Sequence, residues 1–337
     1  MPVLSIDATP QGPQLHGADV APSAAPDAVP GAAPGAALGL ALDAALADPA
    51  GRAGPVIVLV HGYKYQPGRE RHCPHRTLGA LDPDCPGWVG QHSWPRGLGF
   101  GQGAEGEGVA ISFGWSARGS LWQAYRRAGE AGRMLAQLVE MIRARAPGRP
   151  VHAVSHSLGA RVVLSALAAA SRAEAGFDRA ILLSAAELRG PAARALATPA
   201  GRRAEVFNVT SRENDIFDLL FELVMGAPWR GERAMSEGIP EAGNLRSLQI
   251  DHADVRRALG RAGVPMSHEA AMACHWSTYT RPGLLGFYAR LLREGGGPTL
   301  ATLIDAVADQ QDPRWSRLWR GRGTASPLGE TWRERGA

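Results

Sequence analysis

The chain has 337 residues, a hydrophobic share of 45%, 36 Lys and Arg against 32 Asp and Glu, and a net charge of +4. That length suits one core of ordinary enzyme size with long loops and argues against a second full domain. No stretch approaches the roughly 20 uninterrupted apolar residues of a membrane helix, and the scattered arginines, with Lys64 the one lysine, form no concentrated nucleic-acid face.

Residues 1–50 form an Ala- and Pro-rich arm with Pro22, Pro26, Pro30 and Pro34 evenly spaced, a composition that favours a loosely attached segment. Val3 to Ile6 and Leu38 to Leu42 offer edge strands within it. The arm lacks Lys and Arg, and its short apolar stretch Ala36 to Leu42 ends at Asp43. A secretory signal needs a charged start and a longer core, so a cytoplasmic location and no stable membrane insertion are expected.

Residues 51–295 carry the main domain. Pro55 to Val60 is a continuous β-branched and aliphatic run, the pattern of a strand buried on both faces. His61-Gly62-Tyr63 closes it. The following stretch, 64–108, is long for a connection and rich in His, Pro, Trp and Gly, and it reads either as a cap-like insertion with Trp88 and Trp94 facing substrate or as a passive surface excursion. Within it, Gly101-Gln102-Gly103-Ala104-Glu105-Gly106 spells a dinucleotide fingerprint in the wrong setting, because a strand follows and none precedes. Cys73, His75, Cys85 and His92 fit no standard zinc spacing, and the odd count of three cysteines favours free thiols. No cofactor and no metal are expected.

Val109 to Trp115 is the next strand, and Leu121 to Ala144 repeats apolar residues near a 3.6 period. Strand Val151 to Val154, a helix from Ala160 to Ala170, strands Ala180 to Ser184, Val206 to Thr210 and Leu245 to Ile250, and a closing amphipathic helix Leu284 to Leu292 follow. Strands alternating with helices predict an α/β fold, a three-layer α/β/α sandwich on a mostly parallel sheet. Asn208-Val209-Thr210 spells a glycosylation sequon inside a buried strand and carries no meaning there. Residues 296–337 form a C-terminal helix and an Arg- and Trp-rich tail, whose rings pack on the body or whose end frays.

Ser157 stands in Val154-Ser155-His156-Ser157-Leu158-Gly159, between a strand and a helix. A serine on a sharp strand-to-helix turn with small residues two positions either side is a nucleophile elbow, although Ser155 replaces the usual first glycine. A serine hydroxyl needs a base and an orienting carboxylate. In chain order the acid follows the strand ending at Thr210, where Asp215 leads, Asp218 is second and Glu213 is also available. Asp215 also suits a helix N-cap. His252, His268 and His275 lie beyond the acid, and position alone does not choose among them. The helix Ile216 to Met225, apolar on much of its circumference, either lines an acyl cleft or packs on the sheet.

His61-Gly62-Tyr63, Trp115, His156-Ser157-Leu158-Gly159 and His275-Trp276-Ser277-Thr278-Tyr279 together resemble a group of uncharacterised bacterial hydrolases of the α/β-hydrolase superfamily, from about residue 55 to about residue 293. The resemblance implies Ser157 as nucleophile, His275 as base ahead of His252, and the amides of Tyr63 and Leu158 as the oxyanion hole. The expected activity is hydrolysis of a carboxylic ester or related small acyl substrate. An acyltransferase using the same residues, and a binding protein that keeps only the scaffold, are the alternatives.

Overall fold

The computed structural model describes residues 3–17, 34–84, 92–264, 271–293, 302 and 304–316. Strands β1 (Val3–Thr9) and β2 (Gly12–Leu15) are followed by helix α1 (Pro34–Ala47), β3 (Val56–Val60), the short α2 (Trp94–Gly97) and β4 (Val109–Gly114). Helix α3 (Leu121–Arg145), β5 (Val151–His156), α4 (Gly159–Ala169), β6 (Arg179–Leu183), α5 (Arg189–Leu196) and α6 (Pro199–Arg203) continue the chain. Then come β7 (Glu205–Thr210), α7 (Asp215–Val224), β8 (Leu245–Gln249), α8 (Ala253–Arg261), α9 (Ser277–Thr280) and α10 (Leu284–Arg293).

The strands make one 8-stranded sheet in the order β2-β1-β4-β3-β5-β6-β7-β8. Only β2 runs antiparallel to its neighbour. Every residue of β3 is buried, and alternate side chains explain why the run is uninterrupted. Val56, Val58 and Val60 enter a core shared with α1, α3 and α4, while Ile57 and Leu59 enter a second core shared with α8 and α10. Helices therefore cover both faces, as the alternation of elements predicts.

From β3 the chain moves to β4 on one side, and from β5 to β6 on the other. Adjacent strands whose connections diverge leave a crevice at their C-terminal ends. His61 to Tyr63 and Ser157 both leave the sheet at that crevice.

Three segments differ from the sequence expectation. Leu38 to Leu42 lies inside α1 rather than in an edge strand, with Leu38 and Leu42 buried one turn apart. Its Ala, Gly and Leu composition has no β-branched residue to favour extension. Val3 to Ile6 belongs to a longer strand that pairs in parallel with β4. In the stretch after β3, Leu78, Trp94, Leu98 and Phe100 are buried in the second core, and Trp94 packs edge-on against Tyr279 at 5.3 Å. Trp94 is thus a core residue rather than a substrate contact, and Trp88 lies outside the described residues.

The glycine-rich loop that spells a dinucleotide fingerprint does cradle an anion, but an internal one. The amides of Gly101, Gln102 and Ala104 all donate to the Glu107 carboxylate, at 3.1 Å and 3.2 Å for the latter two. A ring of amides already filled by a buried side chain is a structural turn, not a phosphate site. Asn208 is fully buried and donates to the Met235 carbonyl, which matches its placement in a strand.

The described part of the tail straps across α7. Arg314 donates to Glu222 at 3.0 and 3.1 Å and to Glu237 at 2.8 Å, and the Trp315 amide donates to Asp215 at 2.7 Å. Glu222 is 1% exposed. Removing one partner of a buried ion pair leaves an uncompensated charge, so Arg314→Ala should lower stability by about 3 kcal/mol, read as a fall in the urea midpoint. Among the described residues no helix is long and apolar enough to cross a membrane.

Candidate active site

Ser157 has φ of 55°, a left-handed conformation that few non-glycine residues adopt. Three backbone hydrogen bonds hold it there: its amide donates to Leu183 O at 2.9 Å, and its carbonyl accepts from Ala160 at 3.0 Å and Ala186 at 3.1 Å. The turn demands small neighbours for a visible reason. A Cβ on Gly159 would fall 2.5 Å from the Val60 carbonyl oxygen, and one on Gly62 would fall 2.8 Å from Ser157 Cβ. Ser155 is fully buried and satisfies the same limit.

The His61-Gly62-Tyr63 loop is fixed by interactions that the motif does not spell out. His61 Nδ1–H donates to Gly62 O at 2.9 Å, and its Nε2 accepts the Trp115 amide at 3.0 Å. The Trp115 indole N–H donates back to His61 O at 3.1 Å while the two rings stack at 5.4 Å. The Lys64 amide donates to Ala117 O at 2.9 Å, so the loops after β3 and β4 brace each other. Among the described residues, the amides of Tyr63 and Leu158 have no hydrogen-bond partner.

The histidine beside the elbow is His275. Its carbonyl accepts from His156 Nε2 at 2.9 Å, its ring lies 4.6 Å from that of His156, and Phe217 stacks on it at 4.9 Å. Its loop has further tethers: the Cys274 amide on Glu213 O at 2.9 Å, Arg281 paired with Glu213, and Ser184 hydrogen-bonded to Thr278 at 3.0 Å. His252 caps α8, accepting the Asp254 amide at 3.3 Å, and His268 lies outside the described residues.

Neither predicted carboxylate meets the His275 ring. His275 Nδ1 meets Asn214 Oδ1 at 2.6 Å, and Asn214 Nδ2 donates to Asp218 Oδ1 at 2.9 Å. Asp215, the leading sequence candidate, instead pairs with Arg212 at 3.2 Å and receives the Trp315 amide. It sits on the first turn of α7, facing the C-terminal strap. Asp218 reaches the histidine only through Asn214. When ionised, Asp218 can only accept, which turns the Asn214 NH2 inward to the carboxylate and its oxygen toward the ring. His275 Nδ1 must then carry the proton, leaving Nε2 as the basic nitrogen. Asn214 carries no local mark of this contact beyond its spacing of four from Asp218, which puts the two on one helical face.

Helix α7 carries its polarity inverted. Asp215, Asp218 and Glu222 are buried, while Ile216, Leu220, Leu223 and Val224 are 43–53% exposed. The partners of the buried acids, Asn214, Arg212 and Arg314, account for the inner face. The outer face leaves an apolar surface beginning next to Phe217 and His275.

Burial pushes His275 well below the ordinary histidine range, with the neighbouring His156 acting in the same direction. Burial likewise lowers His156 and His152 to about 4 and His61 to about 3. Each is neutral in the folded state at a pH where the unfolded chain would bind a proton. The unfolded state then holds more protons below pH ~6.5, so stability rises with pH there and is lost as pH falls. Asp218, which burial raises to about 7, and Asp215, also raised by burial, act in the opposite sense, as does His16, which its bond to Asp7 raises to about 10, but the four neutral rings outnumber them. The urea midpoint should therefore fall between pH ~6.5 and ~4.5; a midpoint that rises over that interval would contradict neutral burial of these rings.

No protein-family model matches the chain, and no curated protein matches it.

Proposed function

We propose that the protein is a serine hydrolase of α/β-hydrolase type that cleaves a carboxylic ester with a hydrophobic acyl group. The observation that carries this reading is Ser157 held at φ 55° between β5 and α4, next to His156, whose ring donates to the His275 carbonyl at 2.9 Å. Strain of that kind in a non-glycine residue persists only where its surroundings enforce it, and it concentrates at functional sites.

In this mechanism Ser157 Oγ attacks the acyl carbonyl and gives its proton to His275 Nε2. Asn214 takes the position usually held by an acid and accepts from His275 Nδ1–H. The amides of Tyr63 and Leu158 receive the developing oxyanion, a contribution of about 3 kcal/mol for each donor in related sites. The imidazolium then protonates the leaving alcohol, and water resolves the acyl-enzyme. The exposed apolar face of α7 beside Phe217 favours an aliphatic or aromatic acyl chain over a polar one.

The test combines a fluorophosphonate probe with p-nitrophenyl esters of increasing chain length. The expected result is covalent labelling at Ser157, absent in Ser157→Ala, and a kcat/KM that rises from acetate to medium-chain esters. Failure of the folded wild-type protein to label would remove the hydrolase reading, and a preference for acetate would remove the hydrophobic acyl assignment.

A further inference from the structure

At the β2–β1 edge of the sheet, Asp7, His16 and His75 converge. Asp7 stands on β1, His16 directly follows β2, and His75 lies in the loop after β3, 68 residues from Asp7. His75 Nε2 and His16 Nδ1 each lie 2.7 Å from a different oxygen of the Asp7 carboxylate. All three donor atoms fall within 4.8 Å of one another. We propose that these residues form a binding site for one divalent transition-metal ion of the zinc type.

The surroundings favour a ligand set over an ordinary hydrogen-bonded cluster. A metal-binding histidine is set by a partner on its other ring nitrogen, and both rings have one. His75 Nδ1 meets Ser112 Oγ at 2.8 Å, and His16 Nε2 faces Cys73 Sγ at 3.9 Å. Each ring is therefore turned with its remaining nitrogen toward Asp7. The space between them is kept by Gly114, where a Cβ would fall 2.6 Å from both Asp7 Oδ1 and His75 Nε2. The side chains of His75, Asp7 and His16 are 3%, 18% and 29% exposed, a gradient that leaves one side open to solvent.

Two imidazoles and one carboxylate are borderline ligands that suit Zn(II) and Co(II), whereas Ca(II) and Mg(II) require mostly oxygen. Three protein ligands leave a fourth position for water. An ion here would clip the β1–β2 hairpin to the loop that follows β3. Sequence spacing hides the site, because Asp7 and His16 lie far along the chain from His75, whose near neighbours in sequence are Cys73, Cys85 and His92. Of those, His92 is exposed and Cys85 lies outside the described residues. The proposal stands independently of the hydrolase reading.

Untagged protein stripped with EDTA and titrated with ZnCl2 should take up one equivalent at roughly micromolar concentration or below, with a rise in Tm, and Co(II) should give a visible d–d spectrum of low coordination number. Asp7→Asn and His16→Gln should each abolish this one-site uptake, and the half-exposed His16 makes the second variant the less disruptive of the two. Ser112→Ala should weaken Zn(II) by about 10- to 100-fold through the orientation of His75. His252→Gln should bind as wild type. Absence of saturable Zn(II) uptake, or uptake unchanged in folded His16→Gln, would overturn the proposal.

Discussion

Ser157→Ala and His275→Ala are each expected to lower kcat/KM for a p-nitrophenyl ester by on the order of 10⁴- to 10⁶-fold, and the double variant to be no worse than either single one. In the proposed mechanism the two groups act as one unit: without the imidazole the hydroxyl keeps its proton, and without the hydroxyl the imidazole has no nucleophile to activate. His156, although its ring is 4.6 Å away, cannot substitute, because its Nε2–H is committed to the His275 carbonyl. Truncating His275 leaves that backbone contact intact and removes only the ring between Phe217 and Asn214. Both variants should therefore retain near-native melting curves. His252→Ala should keep full turnover, since His252 spends its ring on the α8 cap. Turnover lost in His252→Ala and kept in His275→Ala would reverse the assignment of the base.

What could be read from the chain follows a physical division between local and distant determinants. Strands such as Val56–Val60 are written in consecutive residues because both their faces are covered, and each position must be apolar. The elbow is equally local: a bend between β5 and α4 needs small residues at fixed offsets whatever lies around it. Asn214 belongs to the other kind. Its role depends on a loop 61 residues away and on a buried carboxylate one helical turn along, and neither is visible from its immediate neighbours. Asp215 had the better local credentials, but its partners are Arg212 and the Trp315 amide, the latter 100 residues downstream. Helix α7 misleads for the same reason. Amphipathicity implies that the apolar side faces inward, and here Arg314 and Asn214 meet acids on the inner side while Ile216, Leu220 and Val224 face out. An internal ion-pair network can invert a helix only when its counter-charges arrive from elsewhere in the chain.

Asn214→Ala is expected to lower kcat by about 10³- to 10⁴-fold, the scale seen when the orienting member of a triad is removed. Asp218→Asn should cost about 10- to 100-fold, because Asp218 touches the imidazole only through Asn214 and is a positioning residue. Its effect has a pH signature that a merely structural role would not produce. Burial raises the Asp218 carboxyl to about 7, with the Arg314 charge pulling it back down. Above that pH the carboxylate can only accept, so Asn214 keeps its oxygen on His275 and the base keeps a free Nε2. Below it, protonated Asp218 can donate to the amide oxygen and favour the flipped amide, whose NH2 would face Nδ1 and force the proton to Nε2. The raised group is thus active when ionised: turnover should be full above pH ~7 and decline as pH falls through it, before any loss from protonation of His275, whose own range lies lower. Asp218→Asn should flatten that limb while keeping a lower, nearly pH-independent rate. In the Asn214→Ala background the same substitution should add little, since the path to the imidazole is already cut. A limb near pH 7 that survives in Asp218→Asn would assign it to another group and remove Asp218 from the mechanism.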